Sequence, residues 1–230
     1  MKTSNSFAGS NARTTNNSNS DSIEALYRSL GQETVYNPSD SRCISFSRVT
    51  DTCGDIDLHL TSMAGGYPFD FAGRTWRSSE HLYLCGEFSN NTEEHIAAQE
   101  DIAARPSGYA AKRFGKGKHA KHLRKDFESF RIQWMLFVVW TKCKGNATFC
   151  QLLRSLPDEA VLVENTDIEK VRTRTVWGAV TNGEGSLAGE NNLGKILMIC
   201  RHALAEGTEP RIDYELLRSS NIHLFGKRII

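Results

Sequence analysis

A helix that is apolar on more than one face has to be enclosed by other elements, and one such helix constrains how this chain can fold. Leu82, Tyr83, Leu84, Cys85 and Phe88 place apolar side chains around more than one side of a helix that begins near Ser79. It is introduced by the turn Gly65-Gly66-Tyr67-Pro68 and by the pair Ser78-Ser79, whose hydroxyls suit the cap of a first helical turn. Glu80 stands inside that turn. Two readings of it are open: an acid favoured there by the helix dipole, or a carboxylate carried into an enclosed site for chemistry.

The other segments read as a mainly α single domain with a few short β-strands. Residues 1–30 are taken as a tail, because the stretch to about Ser20 is rich in Ser, Asn and Thr and has too little apolar surface to offset the entropy of ordering it. A weak helix is expected within it, over Ile23 to Leu30. Residues 31–207 form the domain and 208–230 a C-terminal extension. Extended segments are expected over Cys43 to Val49 and Asp55 to Leu60. Asn91 with Glu94 suggests a capping box for a helix over Thr92 to Ala104, stopped by Pro106. Further helices are expected over Tyr109 to Phe114, Asp126 to Lys142, Ala147 to Leu156 and Asn192 to Leu204. Short strands fall at Ala160 to Glu164 and at Val176-Trp177. The aromatic density of the long helix, with Phe127, Phe130, Trp134, Phe137 and Trp140, marks it as core.

No apolar run is long enough to span a bilayer, and Lys2 is followed by polar residues where a secretory signal needs an apolar core, so a cytoplasmic protein is expected, or a nuclear one in a eukaryotic host. The six cysteines form no CxxC pair and no Cys/His cluster at zinc spacing, which argues for reduced thiols and no structural metal. No GxGxxG or Walker pattern is present, and no cofactor is expected. The formal net charge is only +1. Its distribution is uneven: Lys112, Arg113, Lys116, Lys118, Lys121, Arg124 and Lys125 crowd one stretch with His119 and His122. Phosphates are natural partners of such a stretch, and a solvated linker is the alternative.

From Cys43 to Ala205 the order of motifs resembles the NADAR (YbiA-like) family. The elements are LTSMAGG (Leu60 to Gly66), Trp76 with Ser79-Glu80-His81, Ala111-Lys112, Arg124 to Phe127, Leu162 to Glu164, Trp177-Gly178-Ala179, and Gly189 to Met198. The TSMAGGYP turn is similar to the branch associated with DarT-type toxins, which removes ADP-ribose from guanine in nucleic acid. The other branch cleaves N-glycosidic bonds in early riboflavin-pathway intermediates. Three departures stand out: Met63 follows Ser62 where the family has Ser-Asn, Phe127 replaces a Trp, and Arg174 occupies the place of an Asp three residues before Trp-Gly.

The resemblance implies an enzyme that breaks the bond between ribose C1 and nitrogen, with ADP-ribosylated DNA or RNA as partner substrate and a toxin ADP-ribosyltransferase as a possible second partner. Glu80 is the candidate catalytic carboxylate, stabilising oxocarbenium character or activating water. Lys112 is a second catalytic candidate: an amine desolvated by burial and neighbouring cations can form a Schiff base with the opened ribose. Ser62, Gly65, Gly66, Trp76, Phe127, Trp177, Gly178 and Asn191 are the candidate substrate-binding residues. Trp177 and Phe127 are read as stacking surfaces or core, Gly178 as a point of close backbone approach, and Asn191 as a polar contact or helix cap. Two other functions stay open: a glycosidase for free ribosylamino-pyrimidine phosphates, and a noncatalytic ADP-ribose or nucleic-acid binding module.

Overall fold

The computed structural model describes residues 22–48, 50–167 and 176–230. Its first element is a helix over 22–28, α1, whose Ile23, Leu26 and Tyr27, with Leu30 just beyond, pack on the core. Their i, i+3, i+4, i+7 spacing is enough to bury one helix face. Residues 22–30 therefore belong to the domain rather than to the tail, while 1–21 lie outside the described residues.

Strand β1 (Thr34–Tyr36) and strand β2 (Cys43–Phe46) follow, then two hairpins: β3 (Thr52–Cys53) with β4 (Ile56–Asp57), and β5 (Phe69–Phe71) with β6 (Arg74–Trp76). Of the extended stretch expected over Asp55 to Leu60, only β4 is strand. The second hairpin turns on Ala72 and Gly73, at φ 53° and 76°. Two positive φ angles in a two-residue loop match the twist of the flanking strands.

Helices dominate from α2 (Ser79–Gly86) onward. Helix α3 (Glu93–Ala104) takes Thr92 as its cap rather than Asn91: the Thr92 hydroxyl accepts from the His95 amide at 3.3 Å. It ends because Pro106 forces Arg105 into extended backbone, ψ 146°. The helix expected over Tyr109 to Phe114 is part of a longer helical run: α4 (Gly108–Ala110), a π-helical turn (Ala111–Lys116), α5 (Gly117–His119) and a 3-10 turn (Ala120–His122). Then come α6 (Phe127–Gly145) and α7 (Ala147–Ser155).

Strand β7 (Val161–Glu164) pairs in parallel with β2, Cys43 opposite Val161 and Phe46 opposite Glu164. Strand β9 (Leu187–Gly189) lies antiparallel between β1 and β8 (Val180–Thr181). Val176 and Trp177 are not the expected strand. Their carbonyls accept from the amides of Asn192 and Leu193 at 3.2 and 3.1 Å, so the segment terminates α8 (Asn192–Glu206) instead of entering a sheet. Helix α8 stops at Gly207, φ 65°. The C-terminal residues form α9 (Tyr214–Ser219) and a hairpin of β10 (His223–Leu224) with β11 (Lys227–Arg228). Ile212, Leu217, Ile222 and Leu224 are buried in the main core, so this segment is integral to the domain.

Helix α6 runs through that core, with Trp134, Leu136 and Val138 fully buried, as its aromatic density indicates. All eight residues of α2 are buried as well. The two helices meet at Gly86, where a Cβ would lie 2.1 Å from Trp134 Nε1. That indole N–H donates to the Tyr83 carbonyl at 3.1 Å. Overpacking costs about 1–3 kcal/mol and here displaces a hydrogen-bonded ring as well, which outweighs the roughly 1 kcal/mol that alanine gains over glycine in helix propensity. Gly86→Ala is expected to lower stability by about 2 kcal/mol in urea unfolding.

Candidate active site

Ser78 occupies the N-cap of α2 without capping it. Its hydroxyl lies 2.8 Å from His81 Nδ1, and His81 Nε2 lies 3.1 Å from the Arg105 carbonyl. A carbonyl only accepts, so Nε2 carries the proton and Nδ1 accepts from Ser78. Burial holds the His81 pKa below its ordinary value, and both ring nitrogens are used within the fold.

One first-turn amide is met from outside the helix. The Glu80 amide donates to the Ser62 carbonyl at 2.9 Å, and the Ser62 hydroxyl donates to Glu80 Oε2 at 2.7 Å. Glu80 is only 5% exposed. The turn after Leu60 is therefore the clamp that orients its carboxylate, and a charge-assisted bond of this kind is stronger than a neutral one.

Along the same face, at i+3 and i+7, stand Tyr83 and Glu87. Glu87, also 5% exposed, is a buried acid that the sequence reading missed. Its signal was the seven-residue spacing from Glu80 on an enclosed helix. Lys116, from the π-turn, places Nζ 2.8 Å from both Glu87 oxygens. Burial pushes the Glu87 pKa up and the Glu80 charge adds to that, while Lys116 and Lys112 oppose it. The Tyr83 phenol is likewise raised well above its usual range, by burial first and then by the two glutamates.

Phe127 and Trp177 both pack edge-on against Tyr83, with ring centroids 5.4 and 5.2 Å away. The structure thus gathers Ser62, Glu80, Phe127 and Trp177 around one face of α2. Phe127 is buried, also against Phe130, and serves as wall and core; Trp177 is half-buried. Lys112 lies on the same side, since its charge bears on Glu87, but it is exposed. The burial on which its imine-forming role was argued is missing. With Met63, Tyr109 and Arg113 it lines a cleft of about 350 Å³ beside the Ser62 turn.

Three other candidates serve the fold. Asn191, fully buried at φ 46°, accepts from the Glu164 amide at 3.0 Å and donates to the Leu162 carbonyl at 2.9 Å, so its amide is committed to β7 and caps nothing. A Cβ on Gly178 would meet the Glu164 carbonyl oxygen at 2.5 Å: the close approach there is to backbone, not to a ligand. Trp76 is buried, donates to the Phe71 carbonyl at 3.0 Å and packs on Phe225, which makes it core. Gly65 and Gly66 are exposed in the turn, and Gly66 adopts φ 88°. Arg174 lies outside the described residues.

Lys142, also missed, is 1% exposed, with Nζ 3.9 Å from the Phe149 ring centroid and 5.1 Å from that of Tyr67 in the Gly-Gly turn. Burial pushes its pKa down to about 7.

These elements and their order are those of a family. The NADAR domain matches residues 45–205. N-glycosidase YbiA of Escherichia coli is 31% identical over 162 residues, covering 70% of this chain and 88% of that protein; the Shigella boydii protein of the same name is 32% identical over the same span. A riboflavin biosynthesis protein of Vibrio vulnificus is 28% identical over 147 residues, 63% of this chain and 35% of that one. The NMR structure of Escherichia coli YbiA superposes with a TM-score of 0.53 at 31% identity, covering 72% of this chain and 86% of that one. The chain belongs to the NADAR family.

Two measurements probe the buried polar groups. Asn191→Ala strands the Glu164 amide and the Leu162 carbonyl and is expected to cost about 2–4 kcal/mol in urea unfolding. For Lys142, the folded pKa of about 7 lies below the ordinary value of 10.5. Between those values the unfolded chain binds the extra proton, so this group makes stability rise with pH across that window. Lys142→Met is expected to stabilise the fold at pH 7 by about 1–4 kcal/mol, as replacing buried charges by apolar groups often does, and to flatten the rise between pH 7 and 10 in thermal unfolding.

Proposed function

We propose that this protein is an N-glycosidase that hydrolyses the ribose C1–N bond of ADP-ribosylated guanine in nucleic acid, and so reverses the modification. The observation that carries this reading is the Ser62-held carboxylate of Glu80, buried in the first turn of α2 beside a cleft with a cationic lip. A fixed carboxylate next to an anomeric carbon stabilises developing positive charge and activates water. Water supplies hydroxyl to C1 and a proton to the departing nitrogen, giving free ADP-ribose and restored guanine. Glu87, whose pKa burial raises against the opposing Lys116, is a second carboxyl on the same face of α2.

Exposed Lys112 suits the pyrophosphate better than imine chemistry, which asks for a desolvated amine. Half-buried Trp177, which packs edge-to-face with Tyr83, is the aromatic group proposed to meet the base. Only a transferase that places ADP-ribose on guanine supplies this substrate, so a toxin of that class is the proposed functional partner.

A second reading draws on the names of the relatives: hydrolysis of a free ribosylamino-pyrimidine phosphate, as in a riboflavin-pathway glycosidase. One experiment separates the two. The protein is incubated with an oligonucleotide bearing ADP-ribosyl-guanine and, separately, with the ribosylamino-pyrimidine phosphate, and release is followed by mass spectrometry. Release from the oligonucleotide is expected. Glu80→Gln should lower kcat by about 10²–10³-fold, the usual effect of removing one preorganised charge-stabilising group, and Ser62→Ala by roughly tenfold, a shift of about 1.4 kcal/mol in orientation. Full activity of Glu80→Gln would sink the assignment, and release from the pyrimidine substrate alone would favour the second reading.

A further inference from the structure

Among the described residues, three large apolar side chains stand mostly exposed: Val35, Tyr109 at 56% and Phe114 at 51%. Two of the three belong to one short segment, where α4 passes into the π-turn, and Arg113 joins them. Its Nη1 donates to the Tyr109 hydroxyl at 2.6 Å, and its guanidinium carbon lies 5.9 Å from the Tyr109 ring centroid and 5.3 Å from that of Phe114. The three flat groups are thereby organised together on the surface.

This strip is seated rigidly against the catalytic turn. A Cβ on Gly108 would lie 2.8 Å from Met63 Cα, so the start of α4 touches the backbone one residue beyond Ser62. On the other side, a Cβ on Gly115 would lie 3.0 Å from the Ile102 side chain of α3. A π-turn widens a helix locally and recurs at functional sites; here it carries Lys112, Arg113 and Phe114.

The surrounding charge selects the occupant. Lys116 is paired with Glu87, and Lys118 and His119 with Asp101. Among the described residues, Lys112, Arg113, Lys121 and Lys125 have no carboxylate partner. Exposed rings carried on a cation-rich helical run match bases joined by phosphates, and in a duplex the base faces are already stacked on one another.

We propose that Tyr109, Arg113 and Phe114 form a stacking platform for the bases of a single-stranded nucleic acid, holding the nucleotides next to the modified guanine while Lys121, further along the same helical run, meets the phosphates. The proposal deepens the nucleic-acid reading of the Glu80 site and rests on it for the identity of the strand.

The test uses unmodified DNA, so that its result does not depend on turnover. Fluorescence anisotropy compares a labelled single-stranded 12-mer, the same backbone with abasic positions, and the 12-mer as duplex, over a salt series, with wild-type protein and with Tyr109→Ala/Phe114→Ala. Wild type is expected to prefer the single strand over the abasic strand and the duplex by about tenfold or more, from base–aromatic stacking. The double variant should lose that preference while keeping its salt slope, and Lys121→Ala should lower the slope by about one. Both aromatic side chains are exposed, and a thermal melt checks that the variant remains folded.

Equal affinity of wild type for intact and abasic strands, or an unchanged base preference in the double variant, overturns the platform. Absent hydrolysis with ring-dependent binding would sink the glycosidase reading and leave the platform standing. Hydrolysis without base-dependent binding would do the reverse.

Discussion

The packing of α2 onto α6 at Gly86 and Trp134 is the contact on which the site depends. Only a residue without a side chain lets the Trp134 indole come close enough to donate to the Tyr83 carbonyl. That contact encloses α2 and fixes the rotation of the face that carries Glu80, Tyr83 and Glu87. Two carboxylates are thereby taken out of water, a costly arrangement unless each is given polar partners. Ser62 supplies them for Glu80, from a turn, and Lys116 for Glu87, from the π-turn. The loop before α2 and the helical run after α3 are thus tied to one helix through the charges it buries.

Buried cations knit the same fold from other directions. Arg124 donates to Ser89 Oγ and to the Ser220 carbonyl, which joins the segment after α2 to the C-terminal helix. Lys195 on α8 donates to the carbonyls of Ser29 and Gln32 and so fastens the end of α1; burial pushes its pKa down to about 8. Lys195 is satisfied by backbone oxygens, whereas Arg124 adds a bidentate pair with Asp126 to its bond to the Ser220 carbonyl. They explain why residues 22–30 and 208–230, read from the sequence as tail and extension, are held in the domain: their apolar residues join the main core, and carbonyls from both are among the acceptors of these cations.

Legibility in the sequence followed the range of the interaction. The long helices were readable because the apolar spacing of α6 and the breaks at Pro106 and Gly207 act within a few residues. Local capping rules failed at Ser78, whose hydroxyl turns to His81, because the Ser62 carbonyl had already taken the Glu80 amide from 18 positions away in sequence. The same distance effect acts at Asn191 and Gly178, and Trp76 is committed within its own hairpin. Each has the chemistry of a ligand contact, and each is committed to backbone or core that folding brings beside it. Val176-Trp177 looked like a strand and became the cradle of α8, since its carbonyls face the free amides of that helix.

The mainly helical class, the enclosed helix behind Ser79 and the family to which the motif order belongs were all present in the sequence. These are matters of periodicity, turn chemistry and motif spacing, which the chain carries along its length. Tertiary packing alone settles that Glu87 is a second buried acid, that Lys112 stays in water while Lys142 does not, and that Tyr109 and Phe114 stand uncovered beside the Ser62 turn. Burial and charge environment are set by which distant segments close around a side chain, and no local pattern states that.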